Sequence, residues 1–344
     1  MNKLRGILFA LIVMLGALTS CDKYNTDVIG EKFAPINSLV TKFRQLVYVE
    51  YQDGKAKVWG PYADLVDFDV DGSNVSIKSD LDSLVVVAYG YAVEDSVHVF
   101  SGNLSVNSTM PYALYLNNLQ IQSESGVAIQ SLGSSECFLV VPDKGKNMII
   151  GGFSSEGPVI FDGKGSLDIL AENTALTAKR GMTCSYPLTV NIESKSGDGV
   201  HVENGDVKIA DGTWNVKAGN NAFSNVEGQV ILNGGKVIGY AQNGSFVSTP
   251  ESFGIVVNEC SCIGVGSTAS VLAPEQRQFI WHLQIDYMSF TKGQKVTINR
   301  MPNGDDAKTS KLETITPEFD YKTPWLLISN ASLKEVDSVT LSNE

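Results

Sequence analysis

Histidine and cysteine are both scarce in this 344-residue chain, which has three of the first and five of the second. A zinc centre needs three or four such ligands brought close together, and no CxxC pair occurs, alone or with a histidine. The sequence also lacks GxSxG, HExxH, a P-loop, and a GxGxxG opening a helix, so the common nucleophile, metalloprotease and nucleotide signatures are missing. No helical stretch is long enough to carry the chain back between parallel strands, which excludes ordinary βαβ units. Basic charge is in deficit too. With 26 Lys and Arg against 38 Asp and Glu, the net charge is −12, and nucleic acid is a poor partner for such a surface. No metal, other cofactor or nucleic-acid partner is expected.

What is present begins with an export signal. Lys3 and Arg5 precede an uncharged apolar run from Gly6 to Ala17, which ends in "LTSC" at Cys21. The run is shorter than the about 20 apolar residues of a transmembrane helix, and it reads as a secretory signal with a lipobox over residues 1–21. The expected mature chain starts at an acylated Cys21, which anchors it to a lipid bilayer. Residues 22–40 lack apolar periodicity and read as a tether. The expected location is the envelope of a Gram-negative-type bacterium, at the outer membrane, with the periplasmic and the surface face both open.

The middle of the chain is nearly free of proline and repeats itself. The segments "GVAIQS" (126–131), "TALTAK" (174–179), "DGVHVE" (198–203), "NAFSNV" (221–226) and "GSFVST" (244–249) align on Ala128, Ala175, Gly199, Ala222 and Ser245, at separations of 47, 24, 23 and 23. A second column, Leu119, Leu167, Val190, Trp214 and Val237, keeps the same period. Short alternating strands broken by glycine turns such as "ADGT" and "NGGK" fill each unit. A chain that turns about three times per 23 residues and stacks on itself is a right-handed, single-stranded parallel β-helix of the pectin-lyase-like kind.

That register makes each column a ladder, with coils about 4.8 Å apart. Ile129, Leu176, Val200, Phe223 and Phe246 point inward, as does the Trp214 column. His201 and Glu203, flanked by Val200 and Val202, point outward, with Thr177 and Ser224 above and below His201 and Lys179 one coil from Glu203. A solvated ion-pair rung follows, not a metal site. Asp198 is expected to satisfy its own turn. Cys137 and Cys184 fall about two coils apart, beyond the usual reach of a disulfide, and Cys260 and Cys262 share a strand face, where a bond is strained.

Two outward columns carry the chemistry. Gln120, Asp168, Asn191, Asn215 and Ile238 form one, and Gln122, Leu170, Glu193, Lys217 and Tyr240 the other. Asp168 and Glu193 fall on adjacent coils and are the nearest approach to the carboxyl pair of a glycoside hydrolase. No Lys or Arg base stands beside a calcium-binding acid cluster, as a polysaccharide lyase requires. Asn191, Glu193, Asn215, Lys217 and Tyr240 instead combine amides, charges and a ring, a mixture suited to sugar hydroxyls and apolar sugar faces.

The chain resembles a family of bacterial lipoproteins described as carbohydrate-binding domain-containing proteins, which carry a β-helical domain. The likeness runs through "QLVYVEYQDGKAKVWG" (45–60), "VDGSNVSIKSD" (70–80), "YALYLNNLQIQSESGVAIQS" (112–131), "GKGSLDIL" (163–170), "SGDGVHVENGDVKIADGTWNV" (196–216), "VILNGGKVIG" (230–239) and "WLLISNASLKEVDSVTL" (325–341). Trp214 at an aliphatic position and "GMTCSYPLTVN" (181–191), without a glycine-rich turn, depart from the pattern. The resemblance implies a glycan or polysaccharide partner and a non-catalytic role. The competing readings are a polysaccharide lyase or hydrolase on a β-helix, and a structural or adhesive surface protein. The expected organisation is N-terminal cap strands with a hairpin at 41–69, the β-helix at 70–250, and a β-rich cap or small sandwich at 251–344.

Overall fold

A computed structural model describes residues 42–343, apart from 53, 91–97, 144 and 304–307. Cys21, the signal and the tether lie outside the described residues.

The fold is an all-β parallel β-helix. Each coil contributes one strand to each of three sheets. In the coil that begins at Thr189, for example, Thr189–Ser194 joins sheet 3, Val200–Asn204 sheet 2 and Val207–Ile209 sheet 1, before Thr213–Ala218 returns to sheet 3 one coil on. Alternation decides which side chains enter: Thr189–Ser194 buries Val190, Ile192 and Ser194 and turns Asn191 and Glu193 out. Parallel in-register pairing stacks equals on equals. The Trp214 ladder runs Leu167, Val190, Trp214, Val237, Cys262 down sheet 3, each fully buried in one continuous core. Trp214 packs edge-on against Phe161, 5.2 Å between ring centroids. Its indole N–H finds no oxygen acceptor, and its polar neighbour is the Cys184 thiol.

The double interval between Ala128 and Ala175 contains a full coil, with strands Lys146–Ile150, Phe153–Ser155 and Val159–Gly163. Asn147 takes the place of an aliphatic residue there, and its side-chain oxygen accepts the Leu119 N–H at 3.0 Å. Gly152 takes the place of the alanine, with φ +93°.

The last coil departs from the expected register. Phe223 pairs with Val247, not with Phe246, because that interval is one residue longer. Phe246 therefore falls in the column of Ala175, Gly199 and Ala222, and Ser245 is displaced from it. A benzyl group fits because the facing column shrinks in step. Val216 pairs with Gly239 and Gly239 with Gly264, and a Cβ on Gly239 would lie 2.5 Å from the Phe246 ring. Two coils before Phe246 the sizes are reversed, since a Cβ on Gly199 would meet Val216 Cγ1 at 2.3 Å.

The parallel stacking reaches beyond 70–250 at both ends. Gln45–Gln52 pairs in parallel with Leu84–Gly90 and antiparallel with Lys55–Trp59, which forms the expected hairpin on the edge of sheet 1. A second hairpin, Asp67–Asp71 with Asn74–Ser79, closes the edge of sheet 2. Each hairpin covers the edge of an open coil with a short antiparallel strand. At the other end Ser261–Gly266 still stacks in parallel, and sheet 3 then continues antiparallel through Trp325–Ser329 and Ile280–Gln284.

The C-terminal region adds a second layer to sheet 3. Ser310–Ile315, Val296–Met301 and Ser338–Asn343 form a separate antiparallel sheet, whose Val296, Ile298, Ile315 and Val339 pack against Tyr240, Ile263, Val265 and Ile328 of sheet 3 in a second hydrophobic core. The outward columns of sheet 3 change character where that cover begins. Asp168, Asn191 and Asn215 give way to Ile238 and Ile263, and Glu193 and Lys217 to Tyr240 and Val265.

All four described cysteines are buried free thiols. Cys137 pairs with Val159 and Cys184 with Phe161, so the two stand two coils apart and two positions out of line.

Candidate functional site

Where the C-terminal sheet lifts away from sheet 3 it leaves a groove of about 510 Å³. Asn191, Glu193, Asn215, Lys217 and Tyr240 all line it. The opposite wall, Thr314 to Thr316 and Glu318, comes from the C-terminal region and was not foreseen from the sequence. Such a volume lies within the usual range for small-molecule sites.

Along one side of the floor the polar side chains are linked coil to coil. Asn215 Nδ2 donates to Asn191 Oδ1 at 2.9 Å, and Asn191 Nδ2 donates to Asp168 Oδ1 at 2.7 Å. In-register stacking produces this ladder, since each side chain lies directly above its equivalent. It fixes the orientation of both amides and leaves the second N–H of each, and the free oxygen of Asn215, as unused hydrogen-bonding positions.

Along the other side, Lys217 Nζ donates to Glu193 Oε1 at 3.0 Å and lies 3.6 Å from Glu318 Oε2, with the ammonium 5.9 Å from the centre of the Phe319 ring. Burial works against the ammonium, but its bond to Glu193 and the charges of Glu193 and Glu318 prevail and raise its pKa. The pair Lys217–Glu318 ties the wall to the floor.

Tyr240, expected on an outward column, is covered. Its side chain leaves the β-helix outward, as expected, but only 8 % of it remains exposed beneath the C-terminal sheet. Its hydroxyl bonds the Thr316 backbone, and burial, reinforced by Glu318, pushes the phenol upward. With Ile238 it forms the apolar end of the groove, so the site is a cleft and not a solvated sheet face.

Asp168 and Glu193 share this groove. Each is already committed, Asp168 to the Asn191 amide and Glu193 to the Lys217 ammonium.

Around His201 the outward rung is present with altered partners. His201 lies between Thr177 and Ser224, as expected. Its Nδ1 is 3.4 Å from Asp198 Oδ2 and 3.2 Å from Ser224 Oγ, and the Asp198 bond raises the imidazole pKa against the opposing effect of burial. Asp198 does not serve its own turn. It accepts from the Asn221 backbone at 3.0 Å and from the Asn220 amide at 2.8 Å in the next coil. Lys179 pairs with Glu156 at 2.8 Å, one coil in the other direction, instead of with Glu203. Among the described residues no group of three or more His, Cys, Asp or Glu is placed to hold a metal ion.

The architecture therefore defines a parallel β-helix with a polar cleft roofed by a C-terminal sheet. The sequence model of the family described as "Carbohydrate-binding domain-containing protein" matches residues 71–252, more than half of the chain, and the protein belongs to that family. No curated protein and no solved structure matches it.

Proposed function

We propose that the groove between sheet 3 and the C-terminal sheet binds carbohydrate without cleaving it, through Asn191, Glu193, Asn215, Lys217 and Tyr240. The observation that carries this reading is the amide ladder, Asp168 to Asn191 to Asn215, in a cleft whose far end is apolar. Fixed amides can pair with neighbouring hydroxyls, donor to acceptor and acceptor to donor, while Ile238 and the edge of Tyr240 meet the C–H faces of a sugar. The same contacts argue against catalysis. A lyase needs a base, and Lys217 is held protonated between two carboxylates, whereas a catalytic lysine has its pKa lowered. A hydrolase needs one carboxyl free to give a proton, and Asp168 and Glu193 are both engaged.

A glycan array probed with the purified chain tests this. Binding to at least one class of oligosaccharide, with no shortening of the bound sugar on prolonged incubation, is the expected result. An array with no signal removes the function, and reducing ends released from the bound glycan would replace it with the enzymatic reading.

The proposal of an acyl anchor in an envelope membrane is supported by Lys3, Arg5, the apolar run and "LTSC" at Cys21. Expressed in a Gram-negative host, the chain should incorporate labelled palmitate and partition with the membranes. Cys21→Ser should do neither, and equal labelling of the variant would contradict the anchor.

A further inference from the structure

We infer that the ligand of the groove is a linear polysaccharide without acidic groups, held over several consecutive sugar residues. The inference rests on the carbohydrate-binding reading and adds the class of sugar and its direction.

The groove does not end at Asp168. A second cavity of about 520 Å³ adjoins it and shares Leu170 and Glu193 with it. The floor common to both is one outward column of sheet 3: Gln122, Ile150, Leu170, Glu193, Lys217 and Tyr240. These residues stand on six successive coils, and at an inter-strand spacing of about 4.8 Å the furrow runs ~24 Å along the helix axis. A compact ligand would use one cavity. A furrow that follows the stacking direction, with apolar Ile150 and Leu170 between Gln122 at one end and Glu193 and Lys217 toward the other, fits an extended chain with a short repeat.

Charge narrows the class. Asp168, Glu193 and Glu318 face the first cavity, and Glu124 and Glu172 the second. The opposing cations are Lys217 and Lys195, and both are already paired, Lys217 with Glu193 and Glu318, Lys195 with Glu172. The furrow thus carries a surplus of negative charge within a chain whose net charge is −12. A uronic acid placed there would set its carboxylate against carboxylates with no free cation to answer it, and like charges across an interface suppress binding. The hydroxyls of an uncharged sugar meet no such penalty, and carboxylates accept from them directly.

The test is isothermal titration of the wild-type protein at low ionic strength. The probes are cello-, xylo-, manno- and β-1,3-gluco-oligosaccharides from two to six residues, with oligogalacturonates and alginate oligomers of equal length. For at least one neutral series, affinity should rise tenfold or more between the disaccharide and the hexasaccharide, and the uronates should give no heat. Gln122→Ala, which removes a hydrogen-bonding group at the far end of the furrow, should weaken the hexasaccharide more than the disaccharide. Affinity that stays flat with length, or uronates bound as tightly as neutral sugars, overturns the inference while leaving carbohydrate binding intact. Silence with every glycan overturns the proposed function and this inference together.

Discussion

Phe246 is a residue whose neighbours changed to admit it. In the coils before it the corner position holds Ala175, Gly199 and Ala222, and the facing strand fills the space with Ile169, Ile192 and Val216. At Phe246 the arrangement is inverted, with Gly239 and Gly264 beneath the ring and Phe223 edge-on at 5.6 Å. Volume is conserved along the lumen although the residues are not, as a closely packed core requires. Gly239→Val alone drives a branched side chain into the ring and should cost about 1–3 kcal/mol. Phe246→Ala alone leaves a cavity and should cost about 3–5 kcal/mol. Together they restore the pattern of the preceding coil, and the double variant should be less destabilised than the sum by about 1 kcal/mol or more. Denaturant unfolding of the four proteins measures this, and strictly additive losses would contradict the compensation.

The strands explain why part of the fold is legible in the sequence. In a parallel stack, residues one coil apart become vertical neighbours, so a fixed separation in sequence becomes a contact in space. Leu167, Val190, Trp214 and Val237 announce that contact by being apolar at intervals of 23 and 24, and the residues one and three places after each fall on the opposite, outer face. The coil from 146 to 163 was visible only as a doubled interval, because Asn147 and Gly152 stand where the pattern calls for an aliphatic residue and an alanine. Asn147 is tolerated in the lumen because it answers a backbone N–H there. The slip at Phe246 was hidden because a single inserted residue in a loop leaves both neighbouring segments looking equally well aligned. Sheet 3 carried one further signal. Its outward columns turn apolar at Ile238 and Tyr240, the usual sign that something covers a sheet face. The covering sheet itself obeys no period. The contact between Lys236 and Glu313 joins residues 77 apart, and nothing in the repeat specifies it, so Thr314, Thr316 and Glu318 could not be found in advance.

At the scale of the whole molecule the site arises from two parts with different rules. The β-helix supplies a floor that is regular because it is stacked, and the C-terminal sheet supplies a wall that is particular to this arrangement, joined to the floor by Lys217 with Glu318 and by Lys236 with Glu313. Without the wall, Asn191 and Asn215 would be two amides on a wet surface, each satisfied by water. Beside the wall, amides whose orientation the ladder fixes can discriminate among ligands by which donors and acceptors they meet. The family match stops at residue 252, so the wall, which supplies Thr314 to Thr316 and Glu318 to the groove, lies outside the matched region. The crystal structure of the protein with a bound oligosaccharide chosen from the titrations puts this account to its most direct test. Sugar hydroxyls within hydrogen-bonding distance of Asn191 and Asn215, with the chain running along the column from Tyr240 toward Gln122, is the expected result; sugar seated on another face of the β-helix, with this groove empty, would contradict it.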